Sequence, residues 1–302
     1  MSTSYHVAVI GLGAMGMGAA RSCLRAGLTT YGIDLSEQAR SQLQQAGAAA
    51  VMADARPLAE TLDAVLLLVV NAAQVRRILL GEEGLARHLK PGTAIMVSST
   101  IAAEEASTLA AELAQLGLPM LDAPVSGGAI KADAGEMTVM AAGSDAAFDK
   151  LAPVLDAVAG KLYRVGSEPG QGSTVKIIHQ LLAGVHIAVA AEAMALASRA
   201  GVSLDLMYDV VTHAAGNSWM FENRMPRVLA GDYQARSAVD IFVKDLTLVA
   251  DTAKALRFPL PLASTALNMF LSASNAGHGL EDDSAVIKTF SGITLPGQEE
   301  RP

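Results

Sequence analysis

Val7-Ala8-Val9-Ile10-Gly11-Leu12-Gly13-Ala14-Met15-Gly16 is an apolar run that ends in glycines spaced GxGxxG, and its reading decides the fold of the first half of the chain. Four successive apolar residues suit a strand buried on both faces, and the pattern that follows, residues 14–26, is helical. Glycines at such a strand-to-helix turn let the backbone approach a pyrophosphate, whose charge then sits at the helix N-terminus. Asp34 ends the next apolar run, Tyr31-Gly32-Ile33, 18 residues after Gly16. An acid about 20 residues on is placed to accept hydrogen bonds from the adenosine ribose hydroxyls. A carboxylate there also repels a 2′-phosphate, and Leu35 and Ser36 supply no arginine to receive one, so the expected cofactor is NAD. The alternative use of Asp34 is to cap the helix that begins near Ser36.

The composition bounds what else the chain can be. Its 302 residues suffice for two modest domains. A formal net charge of −8 argues against nucleic acid as a partner. Hydrophobic residues make up 51% and mean hydropathy is +0.35, which raises the question of a membrane. The longest unbroken apolar run, residues 64–70, is far too short to cross a bilayer. Residues 181–197 are interrupted by His186 and Glu192 and read as a buried helix. The start of the chain carries no basic region ahead of an apolar stretch, and its single cysteine, Cys23, leaves no internal disulfide and no CxxC metal site. A cytoplasmic protein with no metal, no membrane and no nucleic-acid partner is the expectation.

Strand patterns fall at residues 6–10, 29–33, 64–70, 93–97, 120–122, 137–142 and 162–165, with helical patterns such as 14–26, 37–46 and 102–116 between them. That alternation predicts right-handed crossovers and a parallel sheet covered on both faces. Beyond about residue 166 only helical patterns remain, at 173–200, 204–214, 221–230, 239–256 and 261–275. Glycine and proline in Val165-Gly166-Ser167-Glu168-Pro169-Gly170 mark the break. The reading is therefore a nucleotide-binding domain, residues 1–166, followed by an all-α domain, residues 167–302, with a disordered tail from about residue 295.

A second short stretch supplies the chemistry. Gly170-Gln171-Gly172-Ser173-Thr174-Val175-Lys176 opens a long apolar helix with its lysine near the start. Oxidising an alcohol requires a base for the hydroxyl proton while the hydride leaves for the nicotinamide. The chain shows no HExxH zinc motif and no His-Asp-Ser set, so Lys176 is the candidate. A free lysine titrates near pH 10.4, and work as a base near neutrality costs a lowering worth roughly 4 kcal/mol. An apolar cleft and the positive nicotinamide ring both push that way. His179 and Gln180, at i+3 and i+4, share its helix face. A solvated lysine at a helix start is the alternative. A third stretch, Asp122-Ala123-Pro124-Val125-Ser126-Gly127-Gly128, runs from a strand end into a glycine turn. The Ser126 hydroxyl and the amides of Gly127 and Gly128 suit a carboxylate; an ordinary turn is the other reading.

These segments together resemble the β-hydroxyacid dehydrogenases, the family of 3-hydroxyisobutyrate dehydrogenase and tartronate semialdehyde reductase. The resemblance covers about residues 6 to 293 and rests on four ordered motifs: the first glycine turn, Asp122 to Gly128, Gly170-Gln171-Gly172 leading to Lys176, and Lys244-Asp245-Leu246. It implies an α/β Rossmann domain and an all-α domain joined by the long helix that carries Lys176, and a homodimer or homotetramer. It implies Lys176 as general acid/base and Ser126, Gly127 and Gly128 as the anchor of the substrate carboxylate. By position it also implies that Val69, Val70, Gln74, Thr100 and Lys244 line the NAD site, beside Gly11, Leu12, Gly13, Ala14, Met15, Gly16 and Asp34. For Thr100 the alternative is a helix N-cap, and for Lys244-Asp245 a surface ion pair.

One departure stands out: the family usually carries asparagine three residues after the lysine, where this chain has His179. That change points to a more hydroxylated substrate. The stretch from Lys176 to His186 and the stretch Ala215-Gly216-Asn217-Ser218-Trp219-Met220-Phe221-Glu222-Asn223 resemble the branch that oxidises L-threonate at C2 to 2-dehydro-L-erythronate with NAD. His179, and Gln180 beside it on the lysine's helix face, are candidate substrate contacts, as are Asn217 and Trp219 in a polar break between helices, although a lone tryptophan is more often a core residue. Alternatives are another short hydroxyacid as substrate, including tartronate semialdehyde, and a protein that binds NAD without turnover.

Overall fold

The computed structural model describes residues 4–296. They fall into two compact units that divide between Lys176 and Ile177, each with its own core.

The first unit runs β1 (His6–Ile10), α1 (Ala14–Arg25), β2 (Thr29–Ile33), α2 (Glu37–Gln45), β3 (Ala50–Met52), β4 (Ala64–Leu67), α3 (Ala72–Leu80), β5 (Ala94–Val97), α4 (Ala103–Gln115) and β6 (Met120–Asp122). It continues through β7 (Val125–Ser126), α5 (Gly128–Ala134), β8 (Met137–Ala142), α6 (Asp145–Val158) and β9 (Ala159–Gly166). One sheet orders these strands β3-β2-β1-β4-β5-β6-β8-β7, with β9 added on β8. Neighbours from β3 to β6 are parallel, as crossover helices require. Alternate side chains then go to opposite faces. Val7, Val9, Leu66 and Met96 join the core formed with α1 and α6, through Ala19, Cys23, Phe148 and Leu151. Ala8, Ile10, Val65, Leu67 and Ile95 join the core formed with α3 and α4, through Val75, Leu79, Leu109 and Leu113. Both faces are buried, so the strands read as continuous apolar runs.

The expected parallel sheet is corrected at its far edge. β8 runs antiparallel to β6 and β7. The chain leaves β6 through the two-residue β7 and the short α5, too little for a crossover back to the same end, so it returns in the opposite sense. Cys23, on the inner face of α1, is fully buried, and burial pushes its thiol up to about 12.

The second unit carries most of α7 (Gln171–Arg199), then α8 (Leu204–Thr212), α9 (Trp219–Leu229), α10 (Val239–Ala255) and α11 (Pro261–Ala273). Ile187, Ala191 and Met194 of α7 pack with Phe221 and Met225 of α9, Phe242 and Leu246 of α10 and Phe270 of α11. The Phe242 and Phe270 rings stack 5.2 Å apart. Arg224 reaches the buried Asp283 at 2.7 Å, and Arg227 reaches the buried Asp282 at 2.5 Å. α7 is long and apolar enough to cross a membrane, yet half of it is buried within this fold. Leu295 packs into this core, and the rest of the expected tail, residues 297–302, lies outside the described residues.

Candidate active site

Gly11, with φ +91°, turns the chain out of β1, and its N–H donates to the Ile33 carbonyl at 2.9 Å. Only hydrogen fits at Gly16, where a Cβ would lie 1.7 Å from the Gly11 oxygen. Gly13 differs. A Cβ there meets nothing within 4 Å, and as the N-cap of α1 it leaves the first-turn amides without a side-chain cap. Open space beside uncapped amides at the start of a twelve-residue helix fits a pyrophosphate.

Asp34 stands beside this turn. Its Oδ2 accepts from the Leu12 N–H and its Oδ1 from the Ser36 N–H, both at 2.7 Å. The cap of α2 is Ser36, whose Oγ accepts from Ala39, so capping is not the work of Asp34. Arg40, near in sequence, spends its Nη1 on the Asp34 and Leu35 carbonyls at 2.7 and 2.9 Å. A cleft of about 650 Å³ opens here, lined by Gly11, Gly13, Asp34, Leu35, Val69, Val70 and Gln74 among others. Gln74 closes the loop after β4 by accepting from the Val70 N–H at 2.8 Å. These features, an acid at the ribose position and a cradle at Gly13, fit NAD. Sequence reasoning missed Asp54, Arg56 and Ile78 on the same wall. Arg56 pairs with Asp54 at 2.6 Å and with Glu83. The signal was the end of a strand, but β3 is only three residues long and shows no readable pattern.

The proton-transfer side is built around a carboxylate that the sequence offered only as part of a motif. Asp122, fully buried at the end of β6, accepts from the Gly170 and Ser173 N–H groups at 2.8 Å each and from Ser173 Oγ at 2.7 Å. Burial pushes its carboxyl above the ordinary value, and these donors pull it part of the way back. Gly172 is the point of close approach, since a Cβ there would lie 2.4 Å from the Asp122 carbonyl oxygen. The start of α7 is thereby pinned to the sheet, and Lys176, one turn beyond Ser173, is buried at 6% exposure. A solvated lysine at a helix start is excluded.

Pinning by Asp122 makes a prediction about stability. Asp122→Ala leaves buried donors without an acceptor and is expected to cost about 3 kcal/mol. Asp122→Asn keeps an acceptor and sheds the burial cost of a charge, and is expected to cost under about 1 kcal/mol. Urea unfolding of the two variants measures the difference; equal losses would contradict this role.

Ser126 pairs with Thr138 across the β7–β8 ladder. Gly127 and Gly128 follow with φ +133° and +71°, values that favour glycine, and the space beside Gly128 is open. Thr100 lies in the loop after β5; the cap of α4 is Ala102, so the N-cap alternative for Thr100 fails. In the second unit Lys244 pairs with the buried Asp245 at 2.7 Å, which makes this a partly buried pair and not a surface one. Asn217 is tied to Glu222 through Nδ2 at 2.5 Å, and Trp219, the first residue of α9, is half-exposed, so it is no core residue. Among the described residues no three His, Cys, Asp or Glu side chains group to hold a metal ion.

Residues 6–166 match the model of the NAD binding domain of 6-phosphogluconate dehydrogenase. Residues 170–290 match that of the NAD-binding domain of NADP-dependent 3-hydroxyisobutyrate dehydrogenase. The L-threonate dehydrogenase of Escherichia coli K12 is 72% identical over 295 residues, covering 98% of both chains. A crystal structure described as 3-hydroxyisobutyrate dehydrogenase from Salmonella typhimurium is 70% identical, with a TM-score of 0.92 over 95% of this chain and all of that one. The NAD-dependent L-serine dehydrogenase of Pseudomonas aeruginosa is 33% identical over 292 residues, 94% of this chain and 97% of that one. With its Rossmann domain, its helical domain and these relatives, the chain belongs to the β-hydroxyacid dehydrogenases, the 3-hydroxyisobutyrate dehydrogenase-like family of NAD-dependent oxidoreductases.

Proposed function

We propose that this enzyme oxidises the C2 hydroxyl of L-threonate to give 2-dehydro-L-erythronate. The observation that carries the chemistry is Lys176, buried and held one turn beyond the Asp122–Ser173 anchor. NAD supplies the hydride acceptor when bound. Ser126 and the amides of Gly127 and Gly128 take the substrate carboxylate, and Lys176 takes the hydroxyl proton as the C2 hydride leaves. In the reverse direction the Lys176 ammonium returns that proton to the nascent alkoxide. Gly11 to Gly16 take the pyrophosphate, Asp34 takes the ribose hydroxyls, and Val69, Val70, Gln74, Thr100 and Lys244 complete the cofactor site.

Substrate choice rests on His179 and on the relatives that bear the name L-threonate dehydrogenase. With the carboxylate anchored, loss of hydride from C2 requires the reacting carbon one bond nearer the anchor than in a β-hydroxyacid. In this reading His179 holds it there by binding the C3 or C4 hydroxyl, and Asn217 and Trp219 serve as further substrate contacts. The second reading, a 3-hydroxyisobutyrate dehydrogenase, is favoured by the description of the Salmonella structure. NADH formation from L-threonate, D-threonate, D-glycerate and 3-hydroxyisobutyrate separates the two: turnover confined to L-threonate supports the first, and preference for 3-hydroxyisobutyrate replaces it. His179→Asn is expected to lower kcat/KM for L-threonate by about tenfold, the worth of one hydrogen bond; normal L-threonate turnover in that variant would remove His179 from the substrate site.

The assembly belongs to the same reading. Ile178, Leu182, Val189 and Leu196 share one face of α7 and are each more than half exposed. Such a stripe fits burial against a second copy in a homodimer or homotetramer, and a cytoplasmic location goes with an intracellular redox cofactor. Light scattering that reads a monomer would remove the oligomer.

A further inference from the structure

His179 and Gln180 on α7, and Lys244 and Asp245 on α10, form a continuous chain of polar side chains within the second unit. His179 Nδ1 lies 3.0 Å from Gln180 Oε1. Gln180 Nε2 donates to Asp245 Oδ2 at 2.5 Å, and Asp245 Oδ1 lies 2.7 Å from Lys244 Nζ. Gln180 and Asp245 are both buried, at 7% and 2% exposure, so these bonds are shielded from water.

The direction of each proton along this chain follows from donor chemistry. A carboxylate ion-paired with Lys244 only accepts, so the Gln180 atom that faces it is the NH₂ group. The Gln180 carbonyl oxygen then faces His179, and it too only accepts. His179 Nδ1 must therefore carry a proton, which in the neutral ring places the lone pair on Nε2.

We propose that Gln180 and Asp245 are positioning residues that hold His179 as its Nδ1–H tautomer, so that Nε2 accepts a hydrogen bond from a substrate hydroxyl beyond C2. This rests on the assignment of a polyhydroxylated acid to the site and gives it a mechanism. An asparagine at position 179 carries both donor and acceptor groups and adapts to either kind of partner. A histidine with a fixed tautomer presents an acceptor, which calls for a proton on the ligand. A hydroxyl supplies that proton and a methyl does not, so discrimination falls between a polyhydroxylated chain and an alkyl one. Gln180 accordingly acts through His179, with its amide oxygen and one N–H committed along the chain, and the role of direct substrate contact passes to the histidine.

Two measurements on the full-length enzyme test this, the first independent of any substrate. Two-bond nitrogen–proton correlation spectra of ¹⁵N-labelled protein, with His179 identified by its loss in His179→Asn, are expected to show the Nδ1–H pattern. In Gln180→Met, which fills the same space without hydrogen bonds, the pattern is expected to shift toward Nε2–H. An Nε2–H pattern in the parent enzyme overturns the proposal. The second reads kcat/KM for L-threonate against 2-hydroxybutyrate, the same carbon chain without hydroxyls beyond C2. Gln180→Met is expected to lower that ratio about tenfold, the worth of one hydrogen bond. Equal losses on both acids would mean a merely structural role and overturn the proposal. An Nδ1–H pattern in a parent enzyme that ignores L-threonate would keep the tautomer lock and overturn its assignment to that substrate.

Discussion

Lys176→Ala is expected to oxidise L-threonate about 10²–10⁴-fold more slowly than the parent enzyme, the range that a positioned acid/base contributes. NAD affinity should hold, because Lys176 is not among the residues that line the nucleotide cleft. The informative companion is Lys176→Arg. It keeps a cation at the position but cannot give up its proton near neutral pH, so it should be as slow as the alanine variant. If arginine restores the rate, the side chain serves as a fixed positive charge and not as a base. The pH profile carries the same information: in the oxidation direction kcat/KM should rise with pH as Lys176 loses its proton. Both variants should lose that limb.

Gly13→Ala is expected to fold normally and to bind NAD at least about tenfold more weakly, since a methyl would stand in the space proposed for the pyrophosphate. The structure separates this glycine from its neighbour in the motif. A Cβ at Gly13 touches nothing within 4 Å, whereas one at Gly16 would lie 1.7 Å from the Gly11 oxygen. Gly16→Ala should therefore damage the turn itself and lower the melting temperature as well as NAD affinity. Calorimetric titration with NAD, beside thermal unfolding of each variant, reads the two effects separately. Unchanged NAD affinity in Gly13→Ala would remove the pyrophosphate from this turn.

The parts of the molecule legible in the sequence are those whose geometry is local. A strand, a glycine turn and a helix lie within residues 6–25, and Asp34 reaches back only as far as Leu12, so spacing alone predicts the nucleotide cradle. Lys176 was readable for the same reason, being set in an apolar stretch just after a glycine pair. β3 and β7 escaped because three and two residues are too few to show alternation, and the antiparallel edge of the sheet escaped with β7. Partners distant in sequence were also invisible. Asp122 binds Ser173 across 51 positions and Gln180 binds Asp245 across 65, and no spacing rule pairs them. The first contact anchors the start of the helix that carries Lys176, and the second ties that helix to the one bearing Asp245.

Isotopic labelling reads directly whether hydride leaves C2 of L-threonate. With L-threonate deuterated at C2, deuterium is expected in the reduced cofactor, together with a slowed turnover. Substrate deuterated at C3 should give unlabelled NADH at the normal rate. Deuterium transferred from C3 would contradict it, and would make the enzyme a β-hydroxyacid dehydrogenase in the literal sense.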